Sequence, residues 1–179
     1  HKLTKKAYEL RPGSAFIVET LFDLQIANGS WEEANKTLAD AERRKVKPEN
    51  LVKKSRAVVV SALAQSKKLE GNEDEAILAS ESALDCDKEF VPAALIRTGL
   101  ISDVKSQRKA VSLIESFCKR KPHPKVLEAY VKLWQKEEDL QKYQRLQNLL
   151  DHKAVDDEVI LFMAQSALNA HLWREARSK

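Results

Sequence analysis

A six-residue string recurs along the chain and constrains its fold more than any other feature of the sequence. Residues 29–34 read Gly-Ser-Trp-Glu-Glu-Ala and residues 171–176 read His-Leu-Trp-Arg-Glu-Ala, so both contain Trp-x-Glu-Ala. Residues 71–76 keep the same spacing from glycine to alanine. A string that returns along a chain is typical of repeat proteins, in which each copy belongs to one small unit that stacks on its neighbours.

The residues that close these strings lie at a nearly constant interval. They are Ala34, Ala76 and Ala176, together with Ala110 at the end of the charged turn 106–110 and Tyr143 at the corresponding position of the fourth unit, and the spacings along the chain are 42, 34, 33 and 33 residues. The interval matches the roughly 34 residues of a tetratricopeptide-type helix-turn-helix unit, in which a small residue opens the second helix because the two helices cross closely there. We therefore predict an all-α, TPR-like α-solenoid, a right-handed superhelix of antiparallel helix pairs. Residues 1–179 are expected to form a single domain of about five pairs.

Apolar periodicity and turn residues place the helices within each unit. The predicted pairs are 14–28 with 31–41, 51–70 with 73–85, 91–104 with 107–119, 124–135 with 139–150, and 156–170 with the segment from 173 onward. Gly29 is expected to end its helix as a left-handed cap. Phe16 and Leu78 are assigned to buried apolar faces. The chain has only four glycines and five prolines, which argues against the many turns of a β fold.

Two places depart from a regular repeat. The first spacing is about eight residues too long, and the excess coincides with residues 43–56, which hold seven basic residues and one acid. We expect an extended first helix in the second unit. Tyr143 stands where other units have alanine, which predicts either wider helix spacing or a register shift of a residue or more. Residues 2–10 look like the second helix of a preceding unit, and the last helix has hardly begun at Lys179, so we expect truncation at both ends.

The sequence carries no pattern of a catalytic or metal site. Its four histidines are scattered, and His123, between two prolines, is assigned to a helix entry. With four glycines there is no phosphate-binding loop and no nucleophile elbow. Cys86 and Cys118 match no CxxC pattern and are expected to stay reduced and packed. We predict a protein that is not an enzyme and has no catalytic residues, no metal site and no cofactor.

Charge and hydropathy limit the partners further. The net charge is +4, but the two signs are interleaved along most of the chain, so bulk affinity for nucleic acid is not indicated. The longest uncharged run, 159–173, is shorter than the roughly 18 residues that a membrane span needs. A chain that begins at His1 without methionine is expected to be a piece of a longer protein whose targeting segment lies elsewhere.

Several longer strings together carry a resemblance to a known family. They are Leu-Phe-Asp-Leu-Gln at 21–25, the string at 29–34, Phe-Val-Pro-Ala-Ala at 90–94, Lys-Pro-His-Pro at 121–124 before Ala-Tyr at 129–130, and Leu-Trp-Arg-Glu-Ala-Arg at 172–177. In this order they resemble the tetratricopeptide region of HemY-type proteins over residues 8–177. The resemblance implies an inner-membrane protein of Gram-negative bacteria with two N-terminal transmembrane helices and a cytoplasmic repeat region. It also implies an association with heme and porphyrin biosynthesis, and it brings no catalytic motif.

The repeat register of the family points to one surface. In such solenoids the concave surface is lined mainly by the first helix of each pair and holds an extended peptide or a partner helix. The groove positions are Glu19, Asp23, Gln65, Lys68, Glu128, Lys132, Gln165 and Asn169. Their mixed signs predict neither a strongly acidic nor a strongly basic ligand. The implied function is a scaffold for protein–protein interaction at the cytoplasmic face of the inner membrane, with tetrapyrrole-pathway enzymes among the expected partners; a merely solvated polar face is the alternative.

Two other functions stay open at this stage. The family association allows a heme- or porphyrin-binding carrier. The basic segment allows peripheral binding to anionic lipids, and the candidate residues are Arg43, Arg44, Lys45, Lys47, Lys53 and Lys54. The same residues also fit a solvated linker and helix face. Nucleic acid is not an expected partner, because the segment has no aromatic residue on which a base could stack.

Overall fold

The computed structural model of the chain describes residues 2–101, 107–151 and 155–178. These residues are 79% helical and form eleven α-helices and no β-strand. The helices are α1 (Lys2–Leu10), α2 (Ala15–Ala27), α3 (Trp31–Arg43), α4 (Glu49–Leu69), α5 (Glu73–Cys86), α6 (Val91–Leu100), α7 (Gln107–Arg120), α8 (Pro124–Lys132), α9 (Asp139–Leu150), α10 (Asp157–Asn169) and α11 (Trp173–Ser178). The predicted all-α class is confirmed.

The helix boundaries agree closely with those expected from the apolar pattern. The extended first helix predicted for the second helix pair is α4, which has 21 residues. α8 ends at Lys132, earlier than the predicted end at 135, because residues 133–137 form turns and a bend. The predicted end of the helix that contains α6, near residue 104, lies outside the described residues.

The turn between the two helices of a pair has the same backbone conformation in three places. Gly29, Gly71 and His171 follow α2, α4 and α10 with φ of 67°, 82° and 59°. In each turn the next residue donates its backbone N–H to the carbonyl five residues earlier, over 2.8, 2.9 and 2.9 Å. This is the Schellman motif, in which a left-handed residue ends a helix and its last carbonyls find donors. The left-handed cap predicted at Gly29 is confirmed.

The alanine five residues after each left-handed residue is the fourth residue of the following helix. Ala34, Ala76 and Ala176 donate their N–H to the carbonyl four residues earlier, over 2.9 to 3.0 Å. Ala110 is likewise the fourth residue of α7, although the turn before it lies outside the described residues. The first two and Ala110 are 0% exposed, whereas Ala176 is partly exposed. The recurring strings therefore correspond to one recurring turn, which joins α2 to α3, α4 to α5 and α10 to α11.

His171 carries a side chain in a conformation that favours glycine. We expect His171→Gly to raise the free energy of unfolding by about 0.5–1 kcal/mol, and Gly71→Ala to lower it by about 1 kcal/mol. A Cβ at Gly71 would meet no atom within 4 Å, so that cost comes from the backbone alone. Urea unfolding of both variants measures the two changes. A His171→Gly chain less stable than the wild type would contradict the assigned turn.

The chain divides into two compact units, His1–Ile96 and Arg97–Lys179. In the first unit each helix from α1 to α5 packs against the next. One buried cluster comprises Ala34, Leu38, Val52 and Val59, with Phe22, Ile26 and Trp31 packed against it, and another comprises Val60, Ala83 and Ala93. The small alanine side chains let neighbouring helices approach closely, as the repeat pattern predicts.

Two residues assigned to the core from the sequence are exposed instead. Phe16 is 76% exposed and Leu78 is 65% exposed. Each lies two residues from a buried residue, Val18 or Ala76, and two residues correspond to about 200° around a helix. Both side chains therefore point away from the buried faces of α2 and α5.

In the second unit, α8 contacts α7, α9 and α10. Its core includes Ile114, Phe117, Leu127, Tyr143, Leu146 and Val159, each no more than 1% exposed. α9 begins with a capping box, in which the backbone N–H of Glu138 lies 3.3 Å from Gln141 Oε1. Tyr143 is the fifth residue of α9 and not the fourth. This difference is the register shift that was one of the two alternatives for this position.

Two polar contacts join α1 to α3. The Tyr8 hydroxyl donates to Asp40 Oδ2 over 2.7 Å, and Lys5 Nζ lies 2.9 Å from Glu33 Oε1. Burial, together with the Asp40 carboxylate, raises the pKa of Tyr8 to about 12. The hydrogen bond from Tyr8 in turn lowers the pKa of Asp40. The contact therefore stabilises the fold most when Tyr8 is protonated and Asp40 is ionised.

Tyr8→Phe is expected to lower the free energy of unfolding by about 1 kcal/mol near neutral pH, because the Asp40 carboxylate loses one donor while Arg43 and Arg44 stay beside it. Since the pKa of Asp40 is lowered by folding, this stability is present above the ordinary aspartate pKa and is lost as the pH falls through the lowered value. At the alkaline end it is lost as the pH rises through about 12. Urea unfolding of both chains at neutral and acid pH measures the difference. A difference that does not shrink in acid would contradict the charged hydrogen bond.

Candidate interaction surface

All eight residues predicted to line a groove have exposed side chains. They lie on first helices of the predicted pairs: Glu19 and Asp23 on α2, Gln65 and Lys68 on α4, Glu128 and Lys132 on α8, and Gln165 and Asn169 on α10. Exposure is also the property of any solvated polar face. Whether these residues occupy equivalent positions in the repeat is therefore judged from their distance along the chain to the turn that follows each helix.

The left-handed turns place three of these residues at one equivalent position. Asp23, Gln65 and Gln165 each lie six residues before the left-handed residue of their own turn, and so face the same side of their helices. Lys68 and Asn169 lie three and two residues before it, at neighbouring positions. The turns thus define a candidate face separately in each compact unit, on α2 and α4 in the first and on α10 in the second, more sharply than the spacing of the alanines does.

Several of the predicted residues already have partners close by. Glu128 Oε1 lies 2.7 Å from Lys132 Nζ, and Gln165 Nε2 donates to Asn169 Oδ1 over 3.1 Å. Glu19 pairs with Lys47, whose Nζ is 3.1 Å away. The side chains of Asp23, Gln65 and Lys68 make no hydrogen bond or ion pair with the described residues. These three are the predicted groove residues most available to a partner.

Large apolar side chains are exposed on the same face of the first helices. Phe16 and Val58 each lie thirteen residues before the glycine of their turn and are 76% and 51% exposed. Leu69 and Leu161 are 79% and 72% exposed and lie one turn from a glutamine of this face. The apolar pattern predicted Phe16 in the core, and the other three were not predicted to lie on this face. The signal that finds Val58 is its i, i+7 spacing along α4.

Most of the basic residues considered as lipid contacts are engaged with carboxylates. The pairs are Arg43 and Arg44 with Asp40, Lys47 with Glu19, and Lys53 with Glu49. The hydrogen bond from Lys53 lowers the pKa of Glu49. Among the described residues, Lys45 and Lys54 are exposed and their ammonium groups have no such partner. The free positive charge of this segment is therefore much smaller than its composition indicates.

Lys67 joins the end of α4 to the first turns of α3 and α5. Its Nζ lies 3.5, 3.3 and 3.3 Å from carboxylate oxygens of Glu32, Glu70 and Glu75. Hydrogen bonds to Glu70 and Glu75 raise its pKa. An open cleft of about 300 Å³ beside it is lined by Glu32, Asn35, Lys36, Leu63, Lys67, Glu75 and Ala79. Lys67 is paired with Glu32, Glu70 and Glu75, and this pairing explains the charged side chains of the junction as structural contacts.

Arg145 forms a second junction, between α8 and α9. Its Nε and Nη2 donate to the two carboxylate oxygens of Glu137, each over 2.7 Å. The guanidinium carbon lies 3.6 Å from the centre of the Trp134 ring, and Tyr130 packs against that ring at 6.3 Å. The bidentate contact lowers the pKa of Glu137. This cluster stabilises the turn before α9. Its strongest hydrogen-bond donor, the Arg145 guanidinium, is already bound to Glu137.

The adjoining surface contains an open cleft of about 430 Å³ whose lining carries both signs of charge. The lining residues are Glu115, Lys119, Tyr130, Arg145, Asn148, Leu149 and Asp151. A small-molecule site is usually more apolar and has a few convergent polar groups. The cleft therefore adds no specific ligand to the description of this unit.

Across residues 2–101, 107–151 and 155–178, no three side chains of the His, Cys, Asp or Glu type come together as metal ligands would. His123 instead caps α8, and its Nδ1 accepts from the backbone N–H of Lys125 over 3.2 Å. This is the helix-entry position predicted for it. Cys118 is buried and Cys86 partly exposed, both as free thiols.

Comparison with known proteins gives no family for this chain. No family model matches it, and no curated protein matches it at a significant level. Within the part of the chain that the structure describes, none of the helices has both the length and the apolar character of a membrane-spanning segment. The interpretation of the candidate face therefore depends on the turns, the exposed side chains and the ion pairs described above.

Proposed function

We propose that the chain is a non-enzymatic, tetratricopeptide-like scaffold of the HemY type that binds a protein partner. The observation that carries the proposal is the recurrence of one turn, with a left-handed residue at positions 29, 71 and 171 and an alanine five residues later. In solenoids of stacked helix pairs, the first helices jointly line a surface that binds peptides or partner helices. The HemY resemblance supplies the proposed setting, the cytoplasmic face of the bacterial inner membrane and heme and porphyrin biosynthesis.

The chemistry of the candidate face supports a binding function over catalysis. Exposed polar residues such as Gln65 and Gln165 alternate there with exposed apolar residues such as Val58 and Leu161. A mixture of apolar and polar side chains is typical of protein interfaces, and charged residues such as Asp23 and Lys68 lie beside it here. Catalytic groups are instead recognised by pKa values shifted within a cleft. The pKa shifts in this chain have structural causes: burial and the contact with Asp40 for Tyr8, the contact with Arg145 for Glu137, and burial for Tyr130, which lines the cleft beside Arg145.

Site-specific photo-crosslinking tests the proposal in cells that produce the full-length protein. A photoreactive amino acid is placed at position 23, 65 or 165, and at exposed position Lys88 as the matched control. We expect a discrete adduct with a protein at the three positions of the face and none at position 88. Adducts that are equally frequent at position 88, or an absence of protein adducts at all three positions, would contradict a scaffold function of this face.

A further inference from the structure

The outward side of α4 carries an apolar stripe whose three large side chains are exposed and whose alanine is partly buried. Its members lie at i, i+7, i+11 and i+18 and are Leu51, Val58, Ala62 and Leu69. At 100° per residue they fall within an arc of about 40°, and they extend over about 27 Å. Leu51 and Val58 are each 51% exposed and Leu69 is 79% exposed. We call this stripe, together with Lys54, Gln65 and Lys68 beside it, the α4 outer face.

The free charge along the α4 outer face is positive. Lys54 and Lys68 lie fourteen residues apart on the same edge of the stripe, and neither ammonium group has a hydrogen bond or ion pair among the described residues. The carboxylates at the two ends of α4 are each paired with a lysine of the same helix, although Lys67 is shared among Glu32, Glu70 and Glu75. Glu49 lies 2.6 Å from Lys53, and Glu70 lies 3.3 Å from Lys67. A partner that covers the stripe is therefore expected to bind more tightly when it places carboxylates opposite Lys54 and Lys68.

We propose that the α4 outer face binds an amphipathic helix of a partner protein, with an apolar stripe bordered on one edge by aspartate or glutamate. A straight and narrow stripe over five turns matches the seam by which two helices pack. An extended peptide would instead need backbone partners or separate pockets along its path. The inference rests on the proposed scaffold function and specifies the chemistry of its partner. It also revises the expectation of a ligand without marked charge, because the acidic groups around α4 are paired.

Selection from a displayed library of random peptides of about 20 residues, long enough to cover the face as a helix, tests this inference. The bait is the 179-residue chain, and peptides that bind the support without the chain are removed. We expect the enriched sequences to share apolar residues at i, i+4 and i+7 with aspartate or glutamate on one edge. Enriched sequences that are basic, or that lack helical spacing, would overturn the inference.

The affinities of one enriched peptide for variants of the chain then separate the contribution of the apolar side chains from that of the lysines. Val58→Ser/Leu69→Ser and Lys54→Glu/Lys68→Glu are each expected to weaken binding at least tenfold, and the peptide is expected to bind more weakly as salt increases. Leu78→Ser and Lys88→Glu are the matched controls, because both side chains are exposed elsewhere in the same unit. Circular dichroism and thermal unfolding establish that each variant keeps the fold. Equal losses in the controls would overturn the inference.

Two outcomes distinguish this inference from the proposed function. Adducts at positions 23 and 165 without any effect of the α4 variants would leave the scaffold function standing and overturn the α4 assignment. Sedimentation with vesicles that contain anionic lipid provides the second comparison. Loss of vesicle binding in Val58→Ser/Leu69→Ser, together with no selected peptide, would identify the α4 outer face as a membrane contact and overturn its assignment to a protein helix.

Discussion

Replacing Tyr143 with alanine is expected to lower the free energy of unfolding by about 3–5 kcal/mol, although alanine is the residue at this point of the repeat. Tyr143 is 1% exposed and is the largest fully buried side chain among the described residues. It is the fifth residue of α9, whereas Ala34 and Ala76 are the fourth residues of α3 and α5. The tyrosine ring therefore fills core volume in the second unit that alanine would leave as a cavity.

Tyr143→Phe is the matched control because it keeps the ring and removes only the hydroxyl. That hydroxyl accepts a hydrogen bond from Gln147 Nε2 over 3.2 Å, and its loss is expected to cost about 1 kcal/mol or less. Urea unfolding of the two variants and the wild type measures both costs. A Tyr143→Ala chain as stable as the wild type would contradict the packing of this ring in the core of the second compact unit.

Ala34→Leu and Ala76→Leu are each expected to lower the free energy of unfolding by about 3 kcal/mol, because the added carbons have no space. Both alanines are 0% exposed. Ala34 lies in one buried cluster with Leu38, Val52 and Val59, which come from α3 and α4. A leucine at this position must move the helices apart or adopt a strained rotamer.

Ala27→Leu makes the same chemical change at an exposed position of α2. Its effect on the free energy of unfolding is expected to stay within about 0.5 kcal/mol. Ala176→Leu should fall between these values, since Ala176 is only partly buried. Chemical unfolding of the four variants ranks them. Equal midpoints for Ala34→Leu and Ala27→Leu would contradict a close helix crossing at Ala34.

The sequence predicted the local units well because their determinants are local. A left-handed residue ends a helix wherever it occurs, and the residues after it begin the next helix. His171 shows how much the string contributed, since histidine alone does not predict a left-handed turn. The left-handed cap was predicted only at Gly29, and the structure shows that His171, at the aligned position, also has positive φ. The long α4 was similarly predicted from the excess spacing before Ala76.

The buried and exposed faces were harder to predict, for physical reasons that differ between helices. α2 has apolar residues almost all the way round, so its composition does not specify whether Phe16 or Val18 faces the core. The shifted register at Tyr143 follows from a turn at 133–138 that has no left-handed residue among those described. Periodicity alone does not reveal such a turn.

The charge of the candidate surface depends on contacts between distant parts of the chain. Lys47 pairs with Glu19, and Arg56 Nη2 lies 2.9 Å from Glu42 Oε2. A count of lysines and arginines over residues 43–56 misses both acids, because they lie outside that segment. The positive residues that stay free, such as Lys54, are therefore identified by the folded arrangement and not by composition.

Nuclear Overhauser contacts of the alanine methyl groups test the recurring helix pair most directly. The measurement is made on the 179-residue chain with labelled alanine methyls. If α2–α3 and α4–α5 are copies of one unit, Ala34 will show contacts to side chains of α2 and α4, among them Ile26 and Val59, and Ala76 will show contacts to α4. Contacts confined to the alanine's own helix at both positions would contradict the repeat.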